Sequence, residues 1–299
     1  RGELIFQNLN SELNNISKIK IDNGLNKIVI GKNQTGWVME NKYNYKVKDD
    51  VVKENLIQIA RLRFFEKKTE NPSLYSRIDL HYPNDEEGNS KLILILNQNN
   101  EKLSEFIQGK IKKNGIYIKK IGDKSTWLTT GLLSMPIDDN DWLETKILNI
   151  DYQDVKKASI NHLNKSESFS LTKDDKNENF LIDNLTKEQI PKSDLIGNFI
   201  GYLFANLIFE DVVKRKDIID NKSLTKINFE LFDGTNIFAI IFNKDKDKWI
   251  SFDIENQSVL KLKDNKKIFV NNIENWSYKL SSTKKNISDT KFEDLLVED

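Results

Sequence analysis

The stretch ISKIKIDNGLNKIVIGKNQTGWVMENK, residues 16–42, followed by VKDDVVKENLIQIARLRFFE, residues 47–66, decides the fold. A similar order recurs as VKKASINHLNKSESFSLTKDDKNENFLIDN, residues 155–184, and PKSDLIGNFIGYLFANLIFED, residues 191–211. An internal repeat indicates architecture before chemistry. The repeat therefore predicts two related units, and at a constant offset of 145 it pairs Ala60, Leu62 and Phe64 with Ala205, Leu207 and Phe209.

Alternating apolar residues predict strands in the first unit, and a helical spacing follows them. Ile16–Ile21 and Lys27–Gly31 read as strands, whereas apolar residues at three- and four-residue spacing after Asp49 or Asp50 predict a helix capped by one of these aspartates. Lys91–Asn97 is apolar on both faces, which predicts a central strand.

The second unit is expected to follow the same plan. Pro191 can open a helix that runs to Phe209, and Asp233-Gly234 suits the turn of a β-hairpin. The expected fold class is α+β, in two repeated units of residues 1–148 and 149–299. Each would pack an antiparallel β-meander on one main helix, and each would close on a tryptophan-bearing segment, which contains Trp142 in the first unit and Trp276 in the second.

The composition argues against several classes of function. Lys and Arg number 46, Asp and Glu also number 46, and the two signs are interleaved along the chain. Nucleic-acid binding needs a basic face, so no nucleic-acid partner is expected. The chain contains no cysteine, which excludes disulfides, thiolate metal sites and cysteine nucleophiles.

Candidate residues for catalysis or metal binding are few. His81 and His162 fall in different units, and a zinc site would need further ligands from carboxylates. Phosphate-loop, dinucleotide and serine-elbow motifs do not occur, because neither Thr130-Gly131 nor the Gly197/Gly201 pair matches them. The sequence therefore predicts no catalytic residue, no metal and no cofactor. The acidic clusters, which lack calcium-loop spacing and read mainly as helix caps or turns, are Asp49-Asp50, Asp85-Glu86-Glu87, Asp138-Asp139 and Asp174-Asp175.

Aromatic residues leave one alternative open. Tryptophans at sheet edges usually pack into cores, but an exposed pair in a groove would form a platform for a glycan or peptide. The tryptophans to which this choice applies are Trp37, Trp127, Trp142, Trp249 and Trp276.

Several stretches together resemble the domain-of-unknown-function 4340 family. Residues 25–80 have its strand–Trp–strand–helix order and its Lys…Pro…Tyr connector, and FIQGKIKKNGIYIKK (106–120) and STWLTTGLLSMPIDDNDWLETKILNI (125–150) are similar to its later landmarks. The terminal IENWSYKL and FEDLL also fit. The sequence departs from the family at IDLHYP, where a Gly-Leu-acidic-Pro turn is commoner, and at Gln108 before Gly109.

The resemblance implies a location more than a chemistry. Members of this bacterial family usually carry one transmembrane helix just before the GELIF-like start, lie outside the cytoplasmic membrane, and accompany gliding-type ABC-transport auxiliary proteins. The resemblance identifies no catalytic residues in this chain. We therefore expect a non-enzymatic, membrane-anchored periplasmic interaction domain whose anchor precedes Arg1.

Two alternatives remain: an envelope glycan- or peptide-binding module, and a hydrolase that uses clustered carboxylates. Features that differ between the units are the better candidates for a site. They are the Lys67–Leu80 connector, the Ser125–Pro136 segment and the cleft between the units.

Overall fold

The computed structural model describes residues 2–83, 89–133, 135–218, 223–253, 267–269 and 272–298. The chain divides into two compact units, Arg1–Leu143 and Glu144–Asp299. Each unit is built on one sheet whose strand pairs are all antiparallel.

The first unit contains a nine-stranded sheet with the order β4-β3-β2-β1-β6-β7-β8-β9-β5. Its strands are β1 (Ile16–Asp22), β2 (Lys27–Asn33), β3 (Gly36–Met39), β4 (Tyr45–Lys46), β5 (Arg63–Lys67), β6 (Lys91–Asn97), β7 (Lys102–Lys112), β8 (Gly115–Lys120) and β9 (Trp127–Thr130). Its α-helices are α1 (Leu9–Glu12), α2 (Asp49–Arg61) and α3 (Asp139–Trp142), with 3-10 turns at Leu13–Asn15, Glu40–Lys42 and Pro72–Ile78.

Local sequence accounts for most of this unit. Ile19 and Ile21 are buried and alternate with solvent-facing residues, as expected for a strand that is covered on one face. In α2 the buried positions Val52, Leu56 and Ile59 recur at three- and four-residue spacing. The predicted cap of α2 is wrong, because Lys48 occupies the N-cap and both aspartates lie in the first turn, where negative charge favours the helix dipole.

The second unit contains a ten-stranded sheet with the order β13-β12-β11-β15-β16-β17-β19-β14-β10-β18. Its strands are β10 (Lys146–Asn149), β11 (Val155–His162), β12 (Phe169–Thr172), β13 (Leu181–Ile182), β14 (Leu207–Lys214), β15 (Ser223–Leu231), β16 (Asn236–Lys244), β17 (Asp247–Asp253), β18 (Lys267–Ile268) and β19 (Trp276–Leu280). Its α-helices are α4 (Asn198–Gly201) and α5 (Ser282–Asp289), with 3-10 turns at Tyr152–Asp154, Lys165–Glu167, Tyr202–Phe204, Arg215–Asp217, Ile273–Asn275 and Phe292–Leu295.

The two sheets share a strand order. In the first unit β1 lies between β2 and β6, and in the second unit β11 lies between β12 and β15, so each lies between the next strand in the chain and the first strand of the meander. The strand that follows the helix directly, β5 or β14, lies beyond the last strand of the meander. The units therefore have the same topology over this part, whereas a duplication of the chain stays a prediction from the sequence.

Two β-bulges also occur at corresponding places in both sheets. The β1–β6 register shifts between Ile16 and Lys18, and the β11–β15 register shifts between Val155 and Lys157. The β5–β9 register shifts between Phe64 and Glu66, and the β14–β19 register shifts between Phe209 and Asp211. The single residues within the second pair of bulges, Phe65 and Glu210, therefore occupy corresponding positions.

The predicted fold class is wrong. The molecule is mostly β, with two large antiparallel sheets, and the units are not repeated meanders that each pack on one main helix. The predicted helix from Pro191 to Phe209 is reduced to α4 and the 3-10 turn that follows it, and Leu207–Lys214 is a strand.

Close packing around glycines explains the shortened helix. A Cβ at Gly201 would lie 2.9 Å from the Phe180 ring and 3.1 Å from the Cβ of Tyr152, and a Cβ at Gly197 would lie 2.9 Å from the Cβ of Phe180. Glycine allows this approach but disfavours a long helix. Asn206 then adopts a left-handed conformation, with φ 45°, and turns the chain into β14.

None of the helices in the described part of the chain combines the length and apolar character needed to cross a bilayer.

Candidate functional site

The structure brings together two of the segments in which the sequence predicts a site. The Lys67–Leu80 connector lies against the start of the Ser125–Pro136 segment through reciprocal threonine bonds. The Thr126 amide donates to the Thr69 carbonyl at 3.0 Å, and the Thr69 amide donates to the Thr126 hydroxyl at 3.0 Å. Thr126 is fully buried, so these bonds fix the connector to the first residues of the segment.

Glu70 extends this network to the surface. Its carboxylate accepts a hydrogen bond from the Ser125 hydroxyl at 2.8 Å and pairs with the Lys67 ammonium at 2.5 Å. These two hydrogen bonds, the Lys67 bond first, lower the pKa of the Glu70 carboxyl below its usual value. Glu70 is therefore a carboxylate near neutral pH, and its charge is balanced by a neighbouring lysine.

Tyr75 fixes the far end of the connector. Its hydroxyl donates to the Lys124 carbonyl at 2.7 Å, and the Lys119 ammonium lies 5.6 Å from the centre of its ring. A cation at this distance over an aromatic face is attracted to it. The connector is thus held on the surface by side-chain contacts along its length.

Phe65 projects from the edge of this region. Neighbouring Phe64 packs its ring against Trp127, with centroids 4.6 Å apart, whereas Phe65 lies in the β5 bulge and is 66% exposed. A bulge re-aims a side chain relative to the regular alternation of a strand. We call the group Phe65, Lys67, Glu70, Tyr75 and Trp127 the connector surface.

The connector surface has the composition of a contact site for another protein. An exposed aromatic side chain lies on the strand that leads into the connector, and the connector carries charged and hydroxyl groups that are held in place by hydrogen bonds. Interfaces typically place aromatic residues at the centre and polar groups at the rim. The arrangement offers contact area and positioned donors and acceptors.

Most tryptophans lie in the cores of the two units. Trp37, Trp142, Trp249 and Trp276 are each at most 7% exposed, and only Trp127, which packs on Phe64, is half-buried among the five. The four buried tryptophans therefore cannot form the exposed platform that was one reading of the sequence.

His162 is held by neutral partners rather than by a metal-ligand set. Its Nε2 donates to the Thr290 carbonyl at 2.7 Å, which leaves Nδ1 to accept from the Thr225 hydroxyl at 3.0 Å. His162 also lines a cavity of about 510 Å³, where Lys291 pairs with Glu167 at 3.0 Å. Both ring nitrogens are thus occupied by positioning contacts. His81 lies in the first unit, directly after buried Leu80.

The acidic clusters lie at separate turns and helix ends. Asp138 caps α3 by accepting from the Asn140 amide at 2.9 Å, and Asp175 accepts from the Asn177 amide at 2.9 Å within a turn. Asp85-Glu86-Glu87 lies outside the described residues. Within the described ranges, no three His, Asp or Glu side chains gather closely enough to hold a metal ion.

Comparison with known proteins places this chain in a family. The sequence profile described as "Domain of unknown function (DUF4340)" matches residues 37–222, which is more than half of the chain. The chain belongs to the DUF4340 family. Searches of the curated proteins and of the solved structures each returned no match. The connector surface lies within the residues that this DUF4340 profile matches.

Sequence reasoning missed the exposure of Phe65. The sequence reads as helical through Glu66, which leaves Phe64 and Phe65 without distinct roles. The helix instead ends at Arg61, and the register shift between Phe64 and Glu66 places Phe65 in a bulge of the strand that follows. The pair of phenylalanines followed by the charged run Glu66-Lys67-Lys68 is the signal that could have indicated one ring packed against a neighbour and one exposed ring.

Proposed function

We propose that this DUF4340 protein is a non-enzymatic accessory domain that contacts partner proteins of an ABC-type transport system on the extracytoplasmic side of a bacterial inner membrane. The observation that carries the proposal is Phe65, an exposed phenylalanine on a β-bulge beside the ordered connector. The family resemblance supports the location and the class of partner.

The matching bulge in the second unit supports a role for Phe65 in binding. Glu210 occupies the corresponding position, is exposed, and has its carboxylate 3.7 Å from the Lys279 ammonium. The bulge is therefore compatible with a charged residue, so its geometry does not require a phenylalanine. An apolar ring in water at such a place contributes to binding when a partner covers it.

Capture from native membranes tests this function. Burial of a phenylalanine side chain stabilises a complex by about 1.5–3 kcal/mol. Phe65→Glu should therefore reduce recovery of ABC-transport components by roughly tenfold or more. Glu210→Phe changes the corresponding residue of the other unit and should leave recovery unchanged. The proposal fails if Phe65→Glu recovers these components as well as the natural protein does, or if the natural protein recovers none.

The membrane location has its own test. An anchored extracytoplasmic domain should sediment with membranes and should become sensitive to added protease once the outer layers of the cell are removed. A protein that stays with the soluble cytoplasmic fraction and is protected until the inner membrane is broken would contradict the proposed location.

A second candidate function is binding of an envelope glycan. A polar depression on the second unit favours it, and this depression is separate in sequence from the connector surface.

A further inference from the structure

Short polar side chains form a row across three strands of the second unit. Ser159 in β11 lies opposite Ser170 in β12 on one side and opposite Asn228 in β15 on the other. The residues on either side of Ser159 in β11, Ala158 and Ile160, are buried. The alternation of the strand therefore directs Ser159 to the outer face of the sheet. We call Ser159, Ser170 and Asn228 the polar row.

The polar row forms the floor of a depression. Its volume is about 430 Å³, and its lining also includes Asp183 and Asn184 from the end of β13 and Phe292 from the 3-10 turn near the C-terminus. Small side chains on the floor leave room that longer ones would fill. The depression is large enough for a small ligand or for part of a chain.

Hydrogen bonds to Asp183 orient the Ser170 hydroxyl of this depression and the hydroxyl of nearby Thr172. Asp183 accepts from the Ser170 hydroxyl at 2.6 Å and from the Thr172 hydroxyl at 3.1 Å, and the Lys157 ammonium lies 3.5 Å from the same oxygen. Because these hydroxyls donate to Asp183, their oxygens remain able to accept from a ligand. The charge of Asp183 is balanced locally by Lys157.

Asn228 supplies an acceptor that the described part of the chain leaves unused. Its Oδ1 is buried and takes no hydrogen bond from any described residue. A buried acceptor without a donor costs about 1–3 kcal/mol. A ligand hydroxyl placed in the depression would provide that donor.

We propose that the depression binds a neutral polyhydroxylated ligand, namely sugar residues of an envelope glycan. Sugar hydroxyls both donate and accept, which matches the serine hydroxyls, the Asn228 amide and the Asp183 carboxylate. The half-buried ring of Phe292 offers an apolar surface for the C–H face of a sugar. The pairing of Asp183 with Lys157 leaves no excess charge there to select an ion. This inference specifies the site of the second candidate function and does not depend on the accessory role.

The first unit supplies the substitution that tests the site. The shared bulges of β1 and β11 align Ser159 with Lys20, which lies between Val29 and Leu94 on the outer face of its sheet. A lysine is therefore compatible with this place in the fold. Ser159→Lys should fill the depression without disturbing the strand, and Lys20→Ser is the matched control.

Binding of neutral tetrasaccharides of glucose and of N-acetylglucosamine to the full chain can be followed by calorimetry and by saturation-transfer NMR. We expect one of them to bind at millimolar concentration, with binding at least tenfold weaker in Ser159→Lys and unchanged in Lys20→Ser. Ser170→Ala serves as a second, milder variant if Ser159→Lys does not fold, and it should weaken binding severalfold.

Three outcomes would overturn the proposal. They are no binding of either sugar by the natural chain, equal loss in Lys20→Ser and Ser159→Lys, and binding of an extended peptide rather than a sugar at this face. The partner captured through Phe65 is measured separately, so failure here and failure of the accessory function are distinguishable.

Discussion

The two units carry different side chains on a shared strand order. In the bulge beyond the meander, the first unit exposes Phe65 and the second exposes Glu210. On the outer face of the first strand, the first unit places Lys20 between two aliphatic residues, whereas the second places Ser159 between Ser170 and Asn228. The shared sheet thus accommodates different surface side chains, so binding is best sought at the positions that differ between the units.

Backbone contacts around the bulges reinforce this correspondence. The Phe64 amide donates to the Glu3 carbonyl at 2.9 Å in the first unit, and the Phe209 amide donates to the Thr145 carbonyl at 3.1 Å in the second. Each bulged strand is thus bonded on its outer side to a segment from the start of its own unit. The surroundings of Phe65 and Glu210 are alike in backbone and differ in side chain.

The packing of the short helical region should give the largest effect. Phe204 is fully buried, with its ring centre 4.6 Å from that of Phe229. Phe204→Ala should lower the free energy of unfolding of the second unit by about 3–5 kcal/mol, measured by hydrogen exchange of its strands. Tyr202→Ala, at a neighbouring but 44% exposed side chain, should cost much less. Equal costs would show that the 3-10 turn does not anchor this core.

Lys284 in α5 should give an intermediate, pH-dependent effect. Its ammonium donates to the Tyr202 and Ala205 carbonyls at 2.5 and 2.6 Å, and burial lowers the pKa of Lys284 to about 8. The unfolded chain, with a lysine pKa near 10.4, then holds the proton more tightly than the folded protein. Stability from this group therefore rises as pH increases from about 8 to about 10.

Comparison with Lys284→Met isolates that contribution. The stability difference between the natural protein and Lys284→Met should grow in favour of the natural protein by about 1–2 kcal/mol between about pH 7 and pH 10, after allowance for solvent at this half-buried site. The neutral amine keeps two N–H groups, so both carbonyl bonds can persist. A difference that stays constant or shrinks would show that burial does not destabilise the charged form.

Exchange of the bulge residues should have the smallest effect on stability. Phe65→Glu and Glu210→Phe lie at exposed positions, so each should change the free energy of unfolding by no more than about 0.5 kcal/mol. Denaturant unfolding measures this. A large loss in Phe65→Glu would mean that Phe65 is required for the fold, and the correspondence with Glu210 would then be misleading.

The strands could be predicted because their signal is local. Ile16–Ile21 alternates with the period of a strand, Lys91–Asn97 is a short run that is apolar on both faces, and the Asp233-Gly234 turn joins β15 to β16 as expected. The helical spacing of Val52, Leu56 and Ile59 also predicts helix α2. These elements depend on neighbours within a few residues, so the sequence alone contains the information.

The second helix and the exposed ring depend on distant residues. Ile200, Leu203 and Phe204 have helical spacing, yet Gly197 and Gly201 are fitted to Phe180, and Leu207 and Phe209 pair within a sheet. The sequence indicates the connector as a region that could carry a site, and this stays a prediction. The connector contacts the segment around Thr126 only when β5 pairs with β9. The bulge at Phe65 also arises from this pairing.

The outermost strands have a consequence for solubility. The edge strands β4 and β13 are each two residues long, and the edge strand β5 is bonded through its Phe64 amide to the Glu3 carbonyl. Each therefore offers few free backbone groups to a strand from another molecule. Long unprotected edges promote edge-to-edge aggregation, and short ones suppress it. The sheets of nine and ten strands therefore present little free edge at these ends onto which a strand of a second molecule could add.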